Sequence, residues 1–265
     1  MKSIALSAFL ILAFLVSSCK KNNDQTGISS SLIKRITFTD TTEQYLIGSV
    51  SFQYDAEGNI LQMTLAQWMG EIPQYYDSLV HTFEYHPSML IEKIFYHNDR
   101  YGRNVYNINP EGLAISETDM GYSPGGDSSI AQTATYKYNS SGYLIEKMTY
   151  VFGDTSGWTS WTWQIINGNI ASLVRSLSWW WGGGSVTESY EYYPYTINTL
   201  GNSHMGKFFL GKSNTNLIKS SMTNSPTPTT AAYTYTFDSG KRVIKEFIRG
   251  SSLTDYSVNA VITYY

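Results

Sequence analysis

One short phrase recurs along this chain and limits what it can become. An aromatic residue is followed by Asp or Asn, one or two small or polar residues, a glycine and then, within a few residues, an aliphatic side chain. Clear copies are Phe52-Gln53-Tyr54-Asp55-Ala56-Glu57-Gly58-Asn59-Ile60-Leu61 and Tyr136-Lys137-Tyr138-Asn139-Ser140-Ser141-Gly142-Tyr143-Leu144-Ile145. A third, Tyr235-Thr236-Phe237-Asp238-Ser239-Gly240-Lys241-Arg242-Val243-Ile244, reads as one residue shorter. Looser copies surround Asn109, Asn167 and His86. An Asp or Asn side chain closes a turn on its own backbone, and glycine completes the reversal in the left-handed conformation. From Tyr54 to Tyr85, Ile108, Tyr138 and Ile166 the steps are 31, 23, 30 and 28 residues, a near-period that marks an array of similar β units.

Between the turns the pattern has period two. Val50, Phe52 and Tyr54 alternate with Ser49, Ser51 and Gln53; Trp161, Trp163 and Ile165 alternate with Thr162 and Gln164; Tyr233, Tyr235 and Phe237 alternate with Thr234 and Thr236. Such segments are antiparallel strands with one aromatic face and one small polar face. From Leu32 onward no helical period competes. The expected fold is all-β: one large antiparallel sheet of consecutive hairpins over residues 32–265, strongly curved or closed into a barrel. A break in the array is expected at 206–220, and a Pro-containing loop at 223–230.

The first eighteen residues read as a targeting segment. Lys2 supplies the positive end, and residues 4–16 form a charge-free apolar run, too short for the roughly 20 residues of a spanning helix. Val16-Ser17-Ser18-Cys19 then has the form of a lipobox, in which the cysteine is acylated. Cys19 is the only cysteine in the chain, which excludes a disulfide framework. Residues 19–31 read as the acylated cysteine and a polar tether whose one apolar side chain is Ile28. The expected partner of Cys19 is a membrane. A net charge of −3 argues against nucleic acid, which calls for a basic surface.

These hairpins resemble the tyrosine-aspartate repeats of large bacterial shell-forming toxins. Over residues 32–265, with the break included, the chain is similar to a family of Bacteroidota lipoproteins known only as a domain of unknown function with a porin-like fold. The resemblance implies a curved or barrel-like antiparallel sheet, and the lipobox at Cys19 sets the expected location: lipid-anchored at the outer membrane, on its periplasmic face or at the cell surface. It carries no catalytic residue with it.

Candidate chemistry is sparse. Gly121-Tyr122-Ser123-Pro124-Gly125 matches the pattern of a serine-hydrolase elbow, but Pro124 has no N–H to offer an oxyanion, so the segment reads as a loop. The four histidines, His81, His86, His97 and His204, lack metal-ligand spacing, and His81 and Glu84 fall on opposite faces of a strand. Asp55, Glu57, Asp119, Asp127, Asp154 and Asp238 lie mostly in repeated turns, which favours structure over catalysis. No cofactor motif is present. The tryptophans are the candidate ligand platform: Trp158, Trp161 and Trp163, then Trp179, Trp180 and Trp181. Adjacent strand residues point to opposite faces, so three consecutive tryptophans do not all bury on a one-sided sheet. The expected function is a non-enzymatic, membrane-anchored binding or structural module whose ligand is a glycan, a lipid or an envelope protein. Its rivals are a glycan hydrolase using loop carboxylates and an integral outer-membrane barrel.

Overall fold

The computed structural model of the protein describes residues 31–39, 46–68, 76–97, 99–122, 128–151, 156–178, 182–225, 228–251 and 256–265. Cys19, Trp179, Trp180 and Trp181 lie outside the described residues, as do Asp127 and Asp154. In chain order the strands are β1 (Ile33–Thr39), β2 (Leu46–Tyr54), β3 (Ile60–Trp68), β4 (Tyr76–His86), β5 (Met89–Tyr96), β6 (Asp99–Ile108), β7 (Ala114–Tyr122) and β8 (Ser128–Tyr138). The second half comprises β9 (Leu144–Val151), β10 (Trp158–Ile166), β11 (Asn169–Leu177), β12 (Ser185–Ile197), β13 (Asn216–Asn224), β14 (Thr229–Phe237), β15 (Val243–Ser251) and β16 (Tyr256–Tyr264). Each pairs antiparallel with its sequence neighbours. β1 pairs with β16, through Ile36 opposite Ile262 and Phe38 opposite Ala260, and the sheet closes into a barrel.

The recurring phrase forms the turns at one end of this barrel. At Asp55 the backbone N–H bonds Asn59 O (3.0 Å), Gly58 N–H bonds Asp55 O (3.2 Å), and Asn59 N–H bonds Asp55 Oδ1 (2.8 Å). The same bonds recur at Asn109, Asn139 and Asp238. Gly58, Gly112 and Gly142 hold the left-handed position, with φ of 84°, 82° and 84°. The Asp238 turn corrects the sequence expectation. It is not shorter, and Lys241, not Gly240, takes the left-handed position, with φ of 62°. The Asx side chain sets the turn, and a non-glycine residue tolerates its conformation at a cost.

The break in the array also shifts. It occupies residues 198–215, whereas 216–220 belong to β13, which runs to Asn224, and β14 begins at Thr229, so both strands extend into the expected loop. The 198–215 segment holds two short 3-10 turns, Asn202–Met205 and Phe208–Leu210. It crosses the end of the barrel as a plug and bonds to several of its turns. Ile60 N–H donates to Gly206 O (3.4 Å), Lys212 N–H to Gly142 O (2.9 Å), Thr215 N–H to Gly168 O (2.9 Å), and Val243 N–H to Thr199 Oγ1 (3.1 Å). Gly206 and Gly211 are needed here: both have positive φ, and a Cβ on either would lie 2.8 Å from a backbone atom of the wall.

Closure decides which strand face is inside. The buried cluster comprises inward residues such as Phe52, Met63, Phe83, Leu90, Tyr106 and Tyr136, with Phe209 of the plug among them. The small polar face points outward, where it makes cross-strand pairs around the circumference. Arg35 bonds Ser49 (3.0 Å), Asn107 bonds Ser116 (2.7 Å), Lys137 pairs with Glu146 (2.7 Å), Ser172 bonds Gln164 (3.2 Å), Ser220 bonds Glu191 (3.1 Å), and Thr230 meets Ser251 (2.7 Å). A lipid-spanning barrel has the opposite arrangement, with a continuous apolar band outside. Exposed outward aliphatics such as Ile115, Ile130 and Met222 are scattered among these polar pairs.

Candidate functional site

The inward face is not uniformly apolar. On β4 to β10 the alternation places a run of polar and charged side chains on the lumen wall. Glu92 falls between Leu90 and Ile94 on the inward face of β5, and Glu117 and Asp119 share the inward face of β7. His81 Nδ1 lies 2.7 Å from Glu92 Oε1, while Asn104 Nδ2 (2.8 Å) and the Tyr106 hydroxyl (2.9 Å) donate to Glu92 Oε2. One strand pair further round, the Tyr136 hydroxyl donates to Glu117, and Lys147 Nζ lies 3.1 Å from the same carboxylate oxygen. Lys147 also stands 5.0 Å from the Tyr136 ring centre and 5.9 Å from that of Trp161, within cation–π range.

This wall sets its protonation states through burial and neighbouring groups. Burial pushes the Glu92 carboxyl up, but the hydrogen bonds from His81, Asn104 and Tyr106 and the attraction of His81 outweigh it and hold Glu92 below the usual carboxylate range. Asp119 goes the other way, raised by burial and then by repulsion from Glu117 and Glu92. Burial and the adjoining carboxylates raise both the Tyr106 and Tyr136 hydroxyls, so they stay neutral donors. Lys207, on the plug, is lowered by burial and drawn back up by Glu92. The inner side of the plug therefore faces the same network. Two polar atoms of the wall, Asn104 Oδ1 and Thr149 Oγ1, are buried with no hydrogen-bond partner among the described residues.

The plug also bounds several recesses. A cleft of about 610 Å³ separates it from the turn end of the wall, lined by Tyr85, Met89, Leu90, Ile108, Phe208 and Phe209, and Ser31 borders it. A smaller cavity of about 340 Å³ lies between the plug and β1, β13, β14 and β16, lined by Ile36, Phe38, Leu200, Met205, Glu246 and Ile262. Both fall in the size range of small-ligand sites.

The sequence candidates are divided by this geometry. Trp161 and Trp163 face the lumen, half-buried, opposite Arg175 and Leu173 of β11; Trp158 falls on the other face of β10, paired with Tyr150. Asp55 and Asp238 accept from Asn59 and Arg242 within their turns, a structural use. Asp119 lies on a strand and not in a loop. His81 points inward and Glu84 outward to Lys93, as the odd spacing requires. Among the described residues no group of three or more His, Cys, Asp or Glu side chains is placed to hold a metal ion. Glu92, Glu117, Tyr106, Tyr136 and Lys147 went unread in the sequence. Their one local signal is a carboxylate set on the apolar face of an alternating strand, but their partners are joined only across strands.

No protein-family model matches the chain, and no curated protein matches it. Solved structures do. The chain resembles a porin-like protein from Bacteroides uniformis ATCC 8492, with a TM-score of 0.67 at 15% identity, over 88% of this chain and 98% of that one. The barrel is porin-like in fold. A second porin-like protein, from Bacteroides vulgatus ATCC 8482, aligns with a TM-score of 0.55 at 14% identity over 88% of this chain and 99% of that one. At such identities the likeness concerns the fold alone.

Proposed function

We propose that the chain is an acyl-anchored lipoprotein of a Bacteroidota cell envelope. Its porin-like barrel stands outside the bilayer and binds a glycan in its lumen. The polar outer wall supports a barrel that does not span lipid, and Val16-Ser17-Ser18-Cys19 supports the anchor. The observation that carries the ligand reading is the lumen wall itself. Half-buried Trp161 and Trp163 stand on the same face as Lys147, Glu117 and Asp119, and the unpartnered Asn104 Oδ1 and Thr149 Oγ1 belong to that face. Aromatic faces flanked by carboxylate, amide and hydroxyl groups suit a ligand that offers both C–H faces and hydroxyls, as a sugar does.

The test has two parts. Cys19→Ala is expected to lose the acyl mass from the N-terminal peptide and to weaken membrane retention; a wild-type peptide without acyl mass overturns the anchor. Glycan-array binding by the wild type is expected to fall at least about tenfold in Trp163→Ala, the loss of one stacking partner. An array on which the wild type binds nothing overturns the glycan reading.

One observation favours a hydrolase as the second reading. Glu117 and Asp119 are two residues apart on one strand face, roughly 7 Å at the backbone, and burial and the neighbouring carboxylates raise Asp119. Against it, Glu117 is buried and already bonded to Tyr136 and Lys147. Asp119→Asn separates the two: a binding module retains its ligand, whereas a hydrolase loses turnover.

A further inference from the structure

The plug end of the barrel carries a set of exposed apolar side chains. Tyr195 is 99% exposed and Ile197 71%, both at the last turn of β12, where the pairing with β13 becomes irregular. Ile166, Phe208, Phe237 and Tyr265 are exposed at the same end. Tyr195 also has φ of 66°, a left-handed conformation that a tyrosine rarely adopts, and it follows Pro194. A strained backbone that delivers a ring wholly into water does nothing for the fold, and such conformations gather where a contact needs them.

The position of the chain's beginning says what that contact is. β1 starts at the plug end, and Ser31 borders the cleft beside Phe208. From Cys19 to Ser31 the chain spans at most about 40 Å when fully extended. A 9-residue strand such as β10 is itself about 30 Å long. As a flexible coil residues 19–31 span only about 20 Å, so a membrane that holds Cys19 meets the plug end far more readily than the far end.

We infer that the plug end is a bilayer-docking surface, with Tyr195, Ile197 and Phe208 entering the interface of the membrane that carries the acyl anchor. Tyrosine suits that place, with an apolar ring below and a hydroxyl at headgroup level. Cations and anions are mixed at this end, which carries Lys34, Lys212 and Lys241 as well as Glu57 and Glu111, so apolar insertion drives the contact and acidic lipid adds little. The docked barrel holds its lumen wall upright, with the end opposite the plug turned away from the membrane. This inference rests on the anchor reading for its geometry, but its test does not require the anchor.

The chain has one cysteine, so Cys19→Ser in a protein of residues 19–265 gives a background free of thiols and of the targeting segment. A polarity-sensitive dye is attached through Ile197→Cys at the plug end, or through Thr162→Cys on the outer wall. Each protein is mixed with vesicles of phosphatidylcholine, alone or with phosphatidylglycerol, that contain brominated acyl chains. Quenching and a blue shift are expected at 197 and not at 162, with nearly equal strength in both lipids. In the unlabelled Cys19→Ser background, Tyr195→Ser with Ile197→Ser is expected to lower vesicle partitioning about tenfold, with an unchanged circular dichroism spectrum. No quenching at 197, or equal quenching at 162, overturns the docking surface. Failure of the anchor shows separately, as an N-terminal peptide of the wild type that carries no acyl mass, and leaves the quenching result intact.

Discussion

Lys241 shows how little of a turn depends on one glycine. In its turn Asp238 Oδ1 accepts from Arg242 N–H (2.9 Å), the Arg242 side chain bonds Asp238 Oδ2 (2.7 Å), and the guanidinium lies 4.6 Å from the Tyr264 ring centre. These contacts hold the turn while Lys241 carries the left-handed φ. Lys241→Gly is expected to raise stability by about 0.5–1 kcal/mol, read as a higher urea midpoint at constant slope. Gly142→Ala is the inverse, and the same measurement should show a loss of about 1 kcal/mol or more. Among the charged residues, Glu92 sets an acid limit. Its folded-state pKa lies below its ordinary 4.5, so its stabilisation is present above that value and is lost as the pH falls through the folded one. Glu92→Gln is expected to cost about 1–3 kcal/mol at pH 7 and to flatten the pH dependence of thermal unfolding below about pH 4.5. Asp119 has the opposite sign. Raised in the folded state, it stabilises most below its ordinary 3.8 and loses that contribution as the pH rises.

At the scale of elements, the plug is held by two kinds of force. Its backbone bonds to the turns fix its position, and Phe209, buried against the Tyr106 ring at 5.1 Å between centroids, supplies the apolar anchor. The Tyr138 hydroxyl, raised by burial to about 12, donates to Phe209 O (3.4 Å), and the Tyr54 hydroxyl donates to His204 O (3.3 Å). Phe209→Ala is expected to cost about 3–5 kcal/mol. Hydrogen exchange should show amides 198–215 losing protection before those of the strands. The strands were legible in the sequence because alternation and Asx-Gly turns are local. The plug was visible only as an interruption, with bounds eight residues off at its start, since its bonds run to turns up to 150 residues away.

Across the whole molecule, β1 and β16 come from opposite ends of the chain and pair last in sequence terms. Their register, Ile36 opposite Ile262 and Thr37 opposite Val261, removes the two edges that an open sheet would expose. A chain ending at Ser251 loses β16 and leaves β1 and β15 as free edges. It is expected to elute from size exclusion as oligomers or aggregate where the full chain is dispersed. The same closure makes the fold rich in distant contacts, and refolding is expected to take milliseconds to seconds or longer. In the lumen, distance in sequence again conceals the site. Glu117 meets Tyr136 and Lys147 only because β7, β8 and β9 lie side by side, and Trp161 joins them because β10 follows.

By itself the sequence determined that the chain is made of antiparallel hairpins, where most of them turn, and that strands such as those at 49–54, 161–165 and 233–237 have an aromatic face and a small polar face. Those properties follow from side-chain alternation and from Asx and glycine backbone preferences, which act over a few residues. The tertiary structure decided which face is inside. An open sheet leaves either face free to meet a partner, but a closed one has an interior, and burial of Phe52, Tyr106, Tyr136 and Phe209 outweighs the exposure of Ser, Thr and Lys. Closure thus turned the tyrosine-rich face into a lumen wall and the hydroxyl-rich face into a polar exterior. It also brought His81, Glu92, Glu117, Lys147 and Trp161 onto one surface, because neighbours in a barrel are set by strand pairing and not by position along the chain.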